Sequence, residues 1–147
     1  MILLDTNMVS AMRRRRTAPD PHVAAWLADQ PFATNFMSVV TVMEVERGIG
    51  RLARRDPRQA ESLRQWYAQE VLRRFADRVL PVGIDVAQAC AKLHAGRTLP
   101  ELDALIAATA LVHDLTLATR NVRDFAGTGV RLVNPWAYRV GTGSAPE

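Results

Sequence analysis

Four carboxylates stand out in this chain for the places they occupy. Asp5 ends the apolar run Ile2-Leu3-Leu4, and Glu44 closes Ser38-Val39-Val40-Thr41-Val42-Met43-Glu44. Asp103 stands near the start of Leu102-Asp103-Ala104-Leu105-Ile106-Ala107-Ala108-Thr109-Ala110, and Asp124 lies in Thr119-Arg120-Asn121-Val122-Arg123-Asp124-Phe125. Carboxylates brought together repel: two unit charges about 4 Å apart cost on the order of 1 kcal/mol in water and ~4 kcal/mol at an effective dielectric of 20. A cluster of four therefore requires protons or a divalent cation near neutral pH. With oxygen ligands and no cysteine or histidine cluster, Mg²⁺ or Mn²⁺ is the matching ion. Such an ion activates water and stabilises charge on a phosphodiester under attack.

Each acid also has a structural account. Asp5 before Thr6-Asn7 suits a helix cap. Thr41-Val42-Met43-Glu44 spells a capping box, which gives Glu44 a role at a helix start. Asp103 suits the positive end of its own helix dipole, and Asp124 a cap on the turn at Phe125.

The elements that must position these acids follow from the apolar pattern. Ile2-Leu3-Leu4, Asn35-Phe36-Met37-Ser38, Val79-Leu80-Pro81-Val82, Leu115 to Thr119 and Arg131-Leu132-Val133 read as five short strands. Between them, helices are expected after Pro21, from about Thr41 through Leu52, across Leu63 to Phe75, over Val86 to Leu93, and over Leu102 to His113. Pro57 separates the second of these from the third. In the last helix Leu102, Leu105, Ile106, Thr109 and His113 are expected to share a buried face. Strands alternating with helices predict an α/β fold with a parallel sheet. Ligands of such sheets bind beyond the carboxyl ends of the strands, where these four acids fall.

Composition narrows the function classes. At 147 residues with 48% hydrophobic residues, the chain suits one domain. One cysteine, Cys90, excludes an internal disulfide. No run reaches the ~20 apolar residues of a membrane helix, and the first residues lack a secretory pattern, so a cytoplasmic protein is expected. The net charge of +4 rests on arginine, with Lys92 the sole lysine. That balance favours polyanionic partners, although arginine bias alone also serves solubility. The run Arg13-Arg14-Arg15-Arg16 either contacts RNA backbone or forms a solvated loop.

Other signals carry less. Gly48-Ile49-Gly50-Arg51-Leu52-Ala53 has the spelling of a dinucleotide loop but falls in a helix. Cys90 and His94 fit a buried cysteine beside a surface histidine. Trp26, Trp66 and Trp136 offer faces for stacking bases, but tryptophans at helical spacing with leucine usually belong to the core or an interface.

In order and spacing these motifs, with Gly48 after Glu44, Leu115-Thr116-Leu117-Ala118-Thr119-Arg120-Asn121, and Val133-Asn134-Pro135-Trp136, resemble the PIN-domain family. The resemblance runs from Met1 to about Trp136 and is strongest to VapC-type toxins, FitB-like branch. It implies a PIN-like fold with a central parallel sheet of about five strands flanked by helices and a single PIN domain over 1–138, while the small, polar stretch Gly141 to Glu147 predicts a flexible tail over 139–147. It also implies a Mg²⁺- or Mn²⁺-dependent endoribonuclease, the toxin of a type II toxin–antitoxin pair, that forms a homodimer and binds a small DNA-binding antitoxin. Asp5, Glu44 and Asp103 fall on the family's three core acidic positions. Asp5 and Asp103 are then metal ligands, and Glu44 a ligand or water-orienting base. At the fourth position Asn121 stands where some relatives have an acid, and Asp124 follows as an outer ligand. Thr6 and Thr119 fit hydroxyl positions that hold water or phosphate.

Two rival functions remain at this level. One is a non-catalytic module that binds nucleic acid or protein through its basic surface. The other is a phosphohydrolase with Asp5 as nucleophile, which usually has a second acid two residues on, where this chain has Asn7.

Overall fold

The computed structural model describes residues 1–13 and 20–141; Arg14, Arg15 and Arg16 of the basic run and residues 142–147 of the expected tail lie outside that range. Five short strands form one sheet: β1 Ile2–Leu4, β2 Asn35–Ser38, β3 Val79–Leu80, β4 Thr116–Ala118 and β5 Leu132–Val133. Their order is β3-β2-β1-β4-β5, and every pairing is parallel. The first strand of the chain is thus the central one. Leu3 pairs with Phe36 on one side and Leu117 on the other.

Parallel strands covered on both faces are apolar throughout, and the alternation of side chains divides this sheet between two cores. Leu3 and Leu117 face the core built with α5 Ile84–Leu93 and α6 Glu101–Val112. Leu4, Met37 and Ala118 face the other core. That second core joins α1 Thr6–Ala11, α2 Pro21–Asp29, α3 Val39–Arg55 and α4 Pro57–Trp66.

Three local features differ from expectation. The helix carrying Glu44 begins earlier than Thr41: Ser38 is its N-cap, its hydroxyl accepting from Val40 N at 3.0 Å. Glu44 therefore stands inside α3, and the capping-box account of it fails. Helix α6 is buried nearly all round, at Ala104, Ile106, Ala107, Ala108, Thr109 and Ala110, because α5 covers the side away from the sheet. Its expected buried stripe is corrected accordingly: Leu102 and Leu105 are half-buried and His113 is exposed. Beyond α4 the chain widens into a π-helix at Tyr67–Leu72, a turn that helical periodicity does not distinguish from an α-helix.

Other boundaries follow local chemistry. Asp56 ends α3 and caps α4, accepting from Gln59 N at 3.0 Å, with Pro57 at the first helical position. The last short helix, α7, spans Val122–Phe125. Trp26 belongs to the core, while Trp66 and Trp136 are half-buried. Cys90 is buried and His94 exposed.

Candidate active site

The site assembles at the carboxyl edge of the sheet. Asp5 leaves β1 with its backbone N–H still bonded to Ala118 O of β4 at 3.0 Å. Its side chain turns back to cap α1, one oxygen accepting from Thr6 N at 2.8 Å. The other accepts from Thr119 Oγ1 at 2.7 Å and Asn7 Nδ2 at 3.1 Å. Capping and site membership are therefore the same geometry. Asp5 is only 5% exposed; burial raises its pKa, against the opposing pull of the bonds from Thr119, Thr6 and Asn7.

Glu44 reaches the same edge from α3. Thr6 donates its hydroxyl to Glu44 Oε1 at 2.7 Å, and the hydroxyl of buried Thr41 lies 3.3 Å from that of Thr6. Asp103 arrives from the first turn of α6. Burial pushes its pKa up to about 6, and the charges of Asp5, Glu44 and Asp124 push in the same direction. Three carboxylates acting on a fourth place all four acids within one electrostatic field. Asp124, in the first turn of α7, is exposed. Asn121 heads that helix, its backbone N–H bonded to Thr119 Oγ1 at 3.0 Å.

Among the described residues, no ion pair involves these four acids. The ion pairs Arg64–Glu61, Arg78–Asp77 and Arg131–Asp114 all involve other acids. Among the described residues, no three Asp, Glu, His or Cys side chains are grouped tightly enough to hold an ion as they stand. The charges of Asp5, Glu44 and Asp124 all act on Asp103. Their chemistry suits a hard divalent cation, whose charge relieves the repulsion felt at Asp103.

Two contributors are not evident from sequence. Asn7 bridges Asp5 and Thr119, and its carbonyl oxygen accepts from Arg120 N at 3.4 Å. Thr41 extends the hydroxyl chain behind Glu44. Asn7 is marked only as turn chemistry after a strand, whereas nothing local marks Thr41. Arg13, at the end of α1, lies near Thr6 and Glu44 in one groove.

The chain is similar to known proteins along nearly its whole length. The chain is 37% identical over 141 residues to plasmid stability protein StbB of Pseudomonas syringae pv. tomato, covering 92% of this chain and 99% of that one. It is 35% identical over 141 residues to VapC ribonuclease Y4jK of Sinorhizobium fredii, covering 92% and 98%. To toxin FitB of Neisseria gonorrhoeae it is 36% identical over 142 residues, covering 92% and 99%. The solved structure of FitAB bound to an IR36 DNA fragment superposes with a TM-score of 0.85 at 33% identity, covering 95% of this chain and 98% of that one. The PIN domain model matches residues 2–129, and with relatives of this identity and coverage the chain belongs to the PIN-domain family.

Proposed function

We propose that this protein is a metal-dependent endoribonuclease, the toxin of a type II toxin–antitoxin pair, that hydrolyses RNA phosphodiester bonds. The observation that carries the reading is the field at Asp103, where burial and three neighbouring carboxylates favour a proton or a cation. Relatives named VapC ribonuclease and toxin FitB point to the same activity and role. Asp5 and Asp103 hold the ion, Glu44 ligates it or orients the attacking water, and Asp124 is an outer ligand. Mg²⁺ or Mn²⁺ supplies positive charge for the phosphodiester and its attacking water. Thr119 and Asn7 fix the carboxylate plane of Asp5, and Thr6 holds one oxygen of Glu44.

The same reading assigns residues 1–138 to a single PIN domain and 139–147 to a tail. It gives the protein a small DNA-binding antitoxin as partner, consistent with the FitAB–DNA complex, and a homodimeric, cytoplasmic state. No helix among the described residues is long and apolar enough to cross a membrane.

The test is cleavage of single-stranded RNA with Mg²⁺, with Mn²⁺ and with EDTA, by the parent and by Asp5→Asn and Asp103→Asn. Cleavage is expected only with metal and only in the parent. Full activity in either variant, or in EDTA, overturns the mechanism. A parent that binds RNA but cleaves none under any of these conditions supports a binding module instead.

A further inference from the structure

A groove of about 340 Å³ lies between α1, α3 and α4 and shares Glu44 with the acid cluster. Its volume falls in the usual range for ligand pockets, about 300–1,000 Å³. Thr6 and Glu44, already joined by their 2.7 Å hydrogen bond, both line it. Leu52, Leu63 and Trp66 supply apolar walls, and Arg13 and Arg55 supply cations. The Arg13 guanidinium lies 3.4 Å from Ser62 Oγ of α4, which steadies it beside the opening. Gly48, one turn beyond Glu44 on α3, also lines the groove, and a Cβ there meets nothing within 4 Å. The helix surface is left bare where an occupant would lie.

The sheet order decides what continues from this groove. Glu44 follows β2, on one side of central β1, and Asp124 follows β4, on the other. A second groove, of about 580 Å³, starts at Asp124 and includes Arg97 and Arg123 but no aromatic residue. An extended polyanion crossing the acids therefore meets arginine in both grooves, and the indole of Trp66 in the first of them. Flat apolar walls suit a nucleobase, and arginine suits the phosphate next to it.

We propose that the groove between α1, α3 and α4 is a nucleotide subsite. It seats one base of single-stranded RNA against Trp66, with the adjoining phosphate on Arg13 and Arg55, and it sets the base preference on that side of the cut. The proposal deepens the ribonuclease reading and rests on it for the identity of the strand.

Gly48→Leu tests it, because the new side chain enters open space and replaces glycine by a strong helix former. Binding of fluorescein-labelled single-stranded RNA is measured by anisotropy with Mg²⁺ in an Asp103→Asn background, where bound RNA is not cut. Cut sites on a randomised RNA are sequenced with Gly48→Leu on the otherwise native chain. Expected are at least tenfold weaker binding for Gly48→Leu and for Trp66→Ala, loss of base preference at one position beside the cut, and an unfolding midpoint for Gly48→Leu no lower than the parent's. Unchanged RNA affinity and unchanged cut-site preference in Gly48→Leu overturn the subsite. A variant that loses only a protein partner overturns it too, since the groove is then a protein-docking surface. Weakened RNA binding in Gly48→Leu alongside a parent that never cleaves RNA supports the subsite and removes the nuclease reading alone.

Discussion

Thr119 donates its hydroxyl to Asp5 Oδ2 at 2.7 Å across 114 residues of chain, joining the ends of two adjacent parallel strands. Thr119 is fully buried, and its oxygen also accepts from Asn121 N. Thr119→Val keeps the shape and removes the hydroxyl. It is expected to destabilise the fold by about 1–3 kcal/mol, the cost of unsatisfied buried polar groups, and to raise the pKa of Asp5 further. Thr119→Ser is expected to recover most of the loss. Urea unfolding of the three proteins checks both expectations.

Asp103→Asn removes a charge that repels three others. Catalysis is expected to fall by more than the roughly 10–100-fold that outer-shell partners of metal sites carry, while stability stays level or rises. Single-turnover cleavage and thermal unfolding, measured on one preparation, separate the two effects.

The pH dependence has a definite sign. The pKa of Asp103 rises from 3.8 in the unfolded chain to about 6 in the fold, and that of Asp5 is also raised. Between these values the folded state holds more protons than the unfolded state, so this contribution to stability falls as pH rises from about 4 to 6. Metal affinity moves the opposite way and strengthens over the same interval, because ligation needs the carboxylates ionised. Thermal unfolding in EDTA from pH 4 to 7, beside Mn²⁺ titration calorimetry at each pH, shows whether the two trends oppose.

A bound ion is also expected to stabilise the protein. At a free concentration 100 times Kd the gain is about 2.7 kcal/mol, or an increase in Tm of about 5–10 °C for a chain of this size. Scanning calorimetry with and without Mn²⁺ measures it, and Asp5→Asn should abolish most of the shift.

Thr6→Val frees Glu44 from its 2.7 Å bond. Since Thr6 is half-buried at the rim of the site, the expected effect is a roughly tenfold fall in kcat, of the size outer-shell residues carry, with little change in Tm. Substitution of exposed Asp124 by Ala should be milder than that of Asp103, and Asn121→Ala milder still; ranking the three kcat values tests the division of roles.

Much of the fold and site is legible in the chain. The second strand is readable at its observed limits, Asn35–Ser38, because apolar residues there stop at a serine that caps the next helix. Asp5 and Asp103 are legible because each interrupts an apolar element at its end, where burial of a charge needs a reason. Glu44 is harder to place: Thr41 and Glu44 spell a local motif, yet packing of α3 on the sheet starts the helix at Val39 and puts Thr41 in the core. The exposure of His113 is hidden for a related reason. A helix covered on nearly all sides carries no stripe to read, so periodicity in α6 points in no single direction. The hydroxyl contacts of Thr6 with Glu44 and of Thr119 with Asp5 span distant segments and exist only after folding.

β1 precedes its two neighbours in the chain yet lies between them in the sheet, and this orders events during synthesis. β1 gains its second neighbour only when Thr116–Ala118 have been made. Until then Asp5 lacks both its backbone bond to Ala118 and the hydroxyl of Thr119. Parallel pairing over such separations is slow to form, and a nascent chain grows by about 5–20 residues per second. On the proposed function, the hydrolytic centre therefore stays unfinished until β4 and Thr119 have been made.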